Sequence, residues 1–195
     1  MEIKIIKPQE FVKKEWSGGT TTQLYIYPDD AQLENRNFDF RISSATFTDT
    51  KSHFSDFSGY QRYLLPLQGE IFVSHEGKYS RTLVPYETDF FMGDWSTSSE
   101  NTLDTRDLNL IVKKGLPCNL FVLNPGENYT PKKSGKLFVF STDETTIDVF
   151  GAEDVSIALV AGSLAMIDES ETISKIQVKS PTNDDAKIVI CEVNK

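Results

Sequence analysis

Arginines and short polar side chains recur at strand spacing in the first half of the chain, where their types suit the capture of a small anion. In Phe38-Asp39-Phe40-Arg41-Ile42-Ser43 the side chains alternate, so Asp39, Arg41 and Ser43 share one face and Phe38, Phe40 and Ile42 the other. Asp107-Leu108-Asn109-Leu110-Ile111-Val112 divides the same way, with Asp107 and Asn109 opposing Leu108, Leu110 and Val112, and Ile111 sharing the polar face. Arg62 stands at the entrance of a third strand, Tyr63–Leu67. The planar guanidinium fork holds a carboxylate through two parallel hydrogen bonds. On an open sheet such faces meet only water. In a small barrel one face points inward, and polar side chains there need partners. Two readings fit these residues: a pocket for a ligand carrying a carboxylate, or a solvated face steadied by Arg–Asp pairs.

The segment Trp16-Ser17-Gly18-Gly19-Thr20-Thr21-Thr22-Gln23 adds a flat indole with one N–H donor and a run of hydroxyls. Its glycine pair frees the backbone for a sharp turn or a close approach. It reads either as a loop feeding a strand or as the rim of a ligand site.

Other chemistries find fewer residues. Gly69-Glu70-Ile71-Phe72-Val73-Ser74-His75 resembles the start of the cupin metal motif. Gly77 then stands where the second histidine belongs, and Arg81 or Thr82 where glutamate belongs. No metal and no cofactor are expected, which ranks a metal-dependent dioxygenase behind the other readings, and Glu76-Gly77-Lys78 reads as a hairpin turn. A Gly-x-Ser-x-Gly elbow is absent, and Ser52, His53 and Asp56 crowd one loop, whereas a triad converges from separate elements. That loop, with Phe54, Phe57 and Gly59, reads as pinned by its aromatics. Gly18-Gly19 leads into a strand rather than a helix, so it is not a phosphate loop. A metal-free isomerase or lyase would need His53, His75 or Asp107 as its base, and each histidine reads as a loop or surface residue.

The elements that would position these side chains are strands. Period-two runs cover Thr21–Tyr27, Phe38–Thr46, Tyr63–Leu67, Ile71–His75, Leu108–Val112, Asn119–Leu123, Leu137–Ser141, Thr146–Phe150, Val155–Val160, Ser163–Ile167, Ser174–Val178 and Lys187–Val193. Turn signals such as Gln68-Gly69-Glu70, Asn124-Pro125-Gly126-Glu127 and Pro181-Thr182-Asn183-Asp184 separate them. Many short strands with close turns predict an all-β sandwich or barrel. Ala31–Arg36 and Ser96–Thr105 are expected to hold a helical turn each. The seam is placed at Lys113-Lys114-Gly115-Leu116-Pro117, dividing a functional half, 1–115, from a supporting half, 116–195.

With 195 residues, 38% of them hydrophobic, the chain is long enough for a substantial core. A formal charge of −9 with scattered Lys and Arg argues against nucleic-acid binding. The longest apolar stretch, Val155–Ile167, is too short for a bilayer. Cys118 and Cys191 match neither a disulfide framework nor a metal knuckle and read as thiols of a reducing compartment. A soluble, cytoplasmic protein is expected.

Five blocks together resemble the HutD/Ves family. They are Trp16 to Leu24 with Tyr25-Ile26-Tyr27-Pro28, Phe38 to Ala45, Ser52 to Arg62, Phe91-Met92-Gly93-Asp94, and Asp107 to Ile111, in family order. The chain departs from the common pattern at Ser17 and Thr20, which replace an asparagine and a third glycine, and at Leu108 and Ile111. The resemblance implies a bicupin: two RmlC-like cupin halves of the jelly-roll, double-stranded β-helix kind in one compact unit, assembled as a homodimer. It implies binding of a small carboxylated, formylated or amino-acid-derived intermediate of histidine breakdown, by a regulator rather than a catalyst. Carried over by motif position, the ligand-binding candidates are Thr20, Thr21, Arg41, Ser43, Arg62, Asp107 and Asn109. Arg41 or Arg62 would hold the carboxylate, Asp107 and Asn109 an amide, formyl or amino group, and Trp16 would wall the pocket.

Overall fold

The computed structural model describes residues 2–132, 135–168, 173–179 and 186–194. The expected turn at Pro181-Thr182-Asn183-Asp184 lies outside the described residues. Strand β1 (Glu2–Ile6) leads through a 3₁₀ turn at Pro8–Glu10 into ten further strands. These are β2 (Val12–Trp16), β3 (Gly19–Tyr27), β4 (Phe40–Phe47), β5 (Lys51–His53), β6 (Tyr60–Gln68), β7 (Ile71–His75), β8 (Tyr79–Leu83), β9 (Asp89–Met92), β10 (Thr97–Asn101) and β11 (Arg106–Lys113). There follow β12 (Cys118–Leu123), β13 (Asn128–Tyr129), β14 (Gly135–Ser141), β15 (Thr145–Phe150), β16 (Val155–Leu159), β17 (Leu164–Asp168), β18 (Lys175–Lys179) and β19 (Ile188–Asn194). The fold is all-β, and among the described residues no helix is long and apolar enough to cross a membrane.

Two units share the chain. One is Val12–Gly115; the other joins Met1–Phe11 to Leu116–Lys195. The first strand belongs with the C-terminal residues because β1 runs antiparallel along β17, from Glu2 opposite Asp168 to Ile6 opposite Leu164. Nothing in the local pattern of residues 1–11 announces that long-range pairing.

The C-terminal unit holds a five-stranded sheet in the order β1-β17-β14-β19-β12 and a four-stranded sheet, β13-β18-β15-β16. Its core is a product of alternation: Leu137 and Val139, Ile147 and Val149, Ala165 and Ile167, Ile188 and Ile190 all lie in one buried cluster. Each fully buried Val, Leu or Ile among them contributes about 1.5–3 kcal/mol.

The Val12–Gly115 unit holds a six-stranded sheet, β2-β3-β4-β11-β6-β9, and a four-stranded sheet, β5-β10-β7-β8. Leu64, Ile71, Val73, Leu83 and Phe91 form one of its apolar clusters, against which Phe54 and Trp95 pack. Ile26, Ala31, Phe38, Phe57, Tyr60 and Ile111 form another. The loop between β5 and β6 is therefore pinned twice, by Phe54 on one cluster and by Phe57 in the other.

Two sequence expectations change here. Ser96–Thr105 is not helical: its first half is strand β10, paired with β5 and β7. Thr97, Ser99 and Asn101 are buried while Ser98 and Glu100 are not. The period of two is present, but with polar residues on both faces hydropathy does not reveal it. His75 is not a loop residue but a buried member of β7, with Nδ1 at 2.8 Å from the Thr97 hydroxyl and Nε2 at 2.9 Å from Asp89. Tyr79 donates to the other Asp89 oxygen at 2.9 Å, so this buried carboxyl has its hydrogen bonds made. The Glu76-Gly77-Lys78 hairpin turn is present, with His75 opposite Tyr79.

Candidate functional site

A cavity of about 380 Å³ lies within the Val12–Gly115 unit, on one face of the six-stranded sheet. Strand register explains which side chains reach it. Arg41 on β4, Ile111 on β11 and Arg62 on β6 are cross-strand partners in one row. Two residues along, Gln23, Ser43 and Asn109 form the next row. Two further, Lys14, Thr21, Ala45 and Asp107 form the third. Period-two alternation turns all three rows to the same face. Phe54, Ser55 and Phe57 of the β5–β6 loop line the cavity from across.

Both arginines are buried, and both find only neutral partners. Arg41 donates from Nε to Gln23 Oε1 and from a terminal nitrogen to Ser43 Oγ, each at 2.9 Å. Arg62 donates to the Ser55 carbonyl at 3.3 Å, and its Nε is sealed from solvent with no hydrogen-bond partner. Its guanidinium carbon lies 4.8, 5.3 and 5.1 Å from the ring centroids of Phe54, Phe57 and Phe91, a cage that favours the cation through the ring faces. Burial nevertheless pulls both guanidinium pKa values down to about 10. A guanidinium at that value still carries its charge at neutral pH. Glu34 acts on Arg41 and Asp107 on Arg62 through space, but neither desolvated guanidinium has a carboxylate hydrogen-bonded to it, an arrangement that favours an incoming anion.

Among the described residues Asp107 is the single carboxylate lining the cavity. Its Oδ1 accepts the Ala45 N–H at 2.9 Å. Burial raises its pKa to about 6, and the opposing pull of the Ala45 N–H, the Asn109 side chain, Arg62 and Arg106 does not cancel that effect. The Asn109 side chain leans on this carboxyl while its own Oδ1 is buried and unpartnered. Arg62 thus has an unpaired donor and Asn109 an unpaired acceptor, and both residues line the one cavity. Buried polar atoms of this kind call for a partner the protein itself does not supply.

Trp16 forms part of the rim. Its Nε1–H donates to Thr21 Oγ1 at 3.1 Å, and its ring lies edge-on to Phe47 at 6.2 Å. Gly18 makes this possible, because a Cβ there would stand 2.2 Å from the indole. Gly19, at φ +156°, lies so close to β4 that a Cβ would stand 2.0 Å from the Thr46 carbonyl oxygen.

Of the residues singled out in the sequence, Trp16, Thr21, Arg41, Ser43, Arg62, Asp107 and Asn109 all line this cavity. Thr20 does not: alternation puts it on the other face of β3 from Thr21. Lys14 and Ser55, which also line the cavity, and Gln23, which accepts from Arg41, were not among the ligand-binding candidates. Lys14 shares the Trp16 face of β2 and Gln23 the Thr21 face of β3, so period two contained the signal. Ser55 acts through its carbonyl, which no side-chain pattern reports. His53 lines the cavity, whereas His75 does not.

The donor set does not fit a metal. Both ring nitrogens of His75 are engaged, and among the described residues no group of three or more His, Cys, Asp or Glu side chains is placed to hold an ion.

Known proteins share this architecture. A conserved protein of unknown function from Pseudomonas aeruginosa superposes with a TM-score of 0.84 at 20% identity, over 100% of both chains. HutD from Pseudomonas fluorescens superposes at 0.77 and 22% identity, again over 100% of both. The Mn(II) oxalate decarboxylase of Bacillus subtilis superposes at 0.66 with 7% identity, over 98% of this chain and 76% of that one, which places the fold among the cupins. In sequence, an uncharacterised 21.2 kDa protein in the hutC 3′ region of Pseudomonas putida is 29% identical over 113 residues. That match spans 56% of this chain and 58% of the relative. The HutD family model matches residues 8–185, nearly the whole length over which the cavity strands and their supporting sheets are laid out, and the chain therefore belongs to the HutD family.

Proposed function

We propose that this protein binds a small carboxylate in the cavity of its Val12–Gly115 unit, as a regulator rather than a catalyst. The observation that carries the reading is the buried Arg62 with its unpartnered Nε, in a cavity where Arg41 also lacks a carboxylate partner. The volume suits a small ligand: about 380 Å³ is the room of roughly a dozen waters at about 30 Å³ each. The Asn109 Oδ1 and the Asp107 carboxylate are both acceptors and suit the N–H of an amide, formylamino or amino group on the same molecule. The hut-region name of the Pseudomonas putida relative directs the search to acids of histidine breakdown. The homodimer implied by the resemblance belongs to the same proposal and is checked by light scattering.

The test is thermal unfolding with N-formylglutamate, formiminoglutamate and urocanate, followed by calorimetric titration of any acid that stabilises. A ligand at a hundred times its Kd adds about 2.7 kcal/mol of stability. Arg62→Met should abolish the effect while leaving the fold intact, because methionine fills the aromatic cage without the charge. No stabilisation by any of the acids refutes the reading.

One observation favours a second reading, a metal-free isomerase or lyase. A carboxyl with a pKa of about 6 beside a cation in a cavity is a fit general base. Turnover of a small acid that vanishes in Asp107→Asn would establish it.

A further inference from the structure

The charges around the cavity are unequal. Arg41, Arg62 and Lys14 are its cations and Asp107 its one carboxylate. Lys14 is balanced by a carboxylate that is not among the lining residues, so a second acid group that reaches Lys14 takes that carboxylate's place. Lys14 sits at the cavity edge, on β2, opposite Thr21 and in the row that ends at Asp107. Its ammonium meets Glu34 at 2.6 Å. Glu34 belongs to the turn after Leu33, another lining residue, so the ion pair joins the edge strand to the loop beside the mouth. Both partners are largely exposed, at 70% and 65%. Such a pair contributes little and exchanges readily.

The spacing also bears on what the cavity takes. The Lys14 row lies four residues along the strands from the arginine row, about 13 Å at about 3.3 Å per residue, and Lys14 on β2 stands two strands from Arg41 on β4, about 10 Å at about 4.8 Å per strand. A flexible four-carbon stem on one side and guanidinium arms on the other shorten that gap. What remains suits a short chain with an acid group at each end.

We propose that Lys14 is the second anion contact of this cavity and that its ligand is a small dicarboxylate, an inference that rests on the carboxylate reading above. One carboxylate sits against Arg62 and Arg41, and the other displaces Glu34 from Lys14. Glu34 thereby acts as the resident competitor that a dianion replaces and a monoanion leaves in place.

Titration calorimetry with glutarate and pentanoate, which share a carbon count and differ in charge, tests this on the wild type, Lys14→Met, Glu34→Gln and Arg62→Met. Glutarate should bind the wild type more tightly than pentanoate. Lys14→Met should weaken glutarate about three- to fivefold, the scale of one exposed charge contact, and leave pentanoate unchanged. Glu34→Gln should tighten glutarate, since the competitor is gone. If both acids bind, both are lost in Arg62→Met, and Lys14→Met changes neither or both equally, the dicarboxylate inference is overturned and the carboxylate reading stands. If neither acid binds at millimolar concentration, both fall.

Discussion

Asp107→Asn isolates the electrostatic cost of the one carboxyl in the cavity. Burial raises its pKa from 3.8 to about 6. The folded protein therefore holds that proton more tightly than the unfolded chain does. The stability associated with the protonated form is complete below about pH 4 and is lost as pH rises through about 6. Each pH unit between the two values is worth about 1.4 kcal/mol, so the ionised carboxylate costs the fold about 3 kcal/mol at pH 8. Asparagine has nearly the same shape, keeps an oxygen for the Ala45 N–H, and never ionises. The variant should be more stable than the wild type by about 2–3 kcal/mol at pH 8, and the two should converge near pH 4. Urea unfolding followed by tryptophan fluorescence reads this cleanly, because both tryptophans, Trp16 and Trp95, belong to the Val12–Gly115 unit. A gap of equal size at pH 4 and pH 8, or a variant less stable at pH 8, refutes the reasoning.

The glycine pair at the rim should respond unequally to alanine. Gly18→Ala meets only the indole of Trp16, which can swing away, so it should break the Trp16–Thr21 hydrogen bond, shift the tryptophan emission and cost about 1 kcal/mol. Gly19→Ala meets the backbone oxygen of Thr46, which cannot yield without parting β3 from β4, and should cost about 2–3 kcal/mol in the same unfolding assay. Asp89→Ala leaves His75 and Tyr79 with unmade hydrogen bonds in a buried setting and should lower stability by about 3 kcal/mol, while calorimetry finds carboxylate affinity unchanged because the cavity is lined by other residues.

Much of the strand content was legible because a strand with one buried face writes its period into the residues. Ile71–His75 is a strand over the stated span, and β4 and β11 differ from expectation only at their ends. The strands that escaped were those without that contrast. The exposed side chains of β2 and the polar Thr97–Asn101 show no apolar alternation, since the first is a sheet edge and the second hides hydroxyls and an amide. β1 escaped as a member of its unit because its partner, β17, lies far away in sequence.

The cavity shows where local reasoning ends. Alternation alone determined that Arg41 and Ser43 share a face and that Asp107, Asn109 and Ile111 share another, because the pleat repeats every two residues whatever surrounds it. The motif blocks, read in order, also determined the family. Only the tertiary structure decided that these faces are one surface, since it is the register of β4 on β11 and β11 on β6 that lays Arg41, Ile111 and Arg62 in a row. It decided too that His75 is buried with both nitrogens engaged, that Lys14 reaches the mouth, and that Asp107 holds its proton to about pH 6. Register, burial and desolvation depend on residues distant in the chain, and a local pattern carries no record of them.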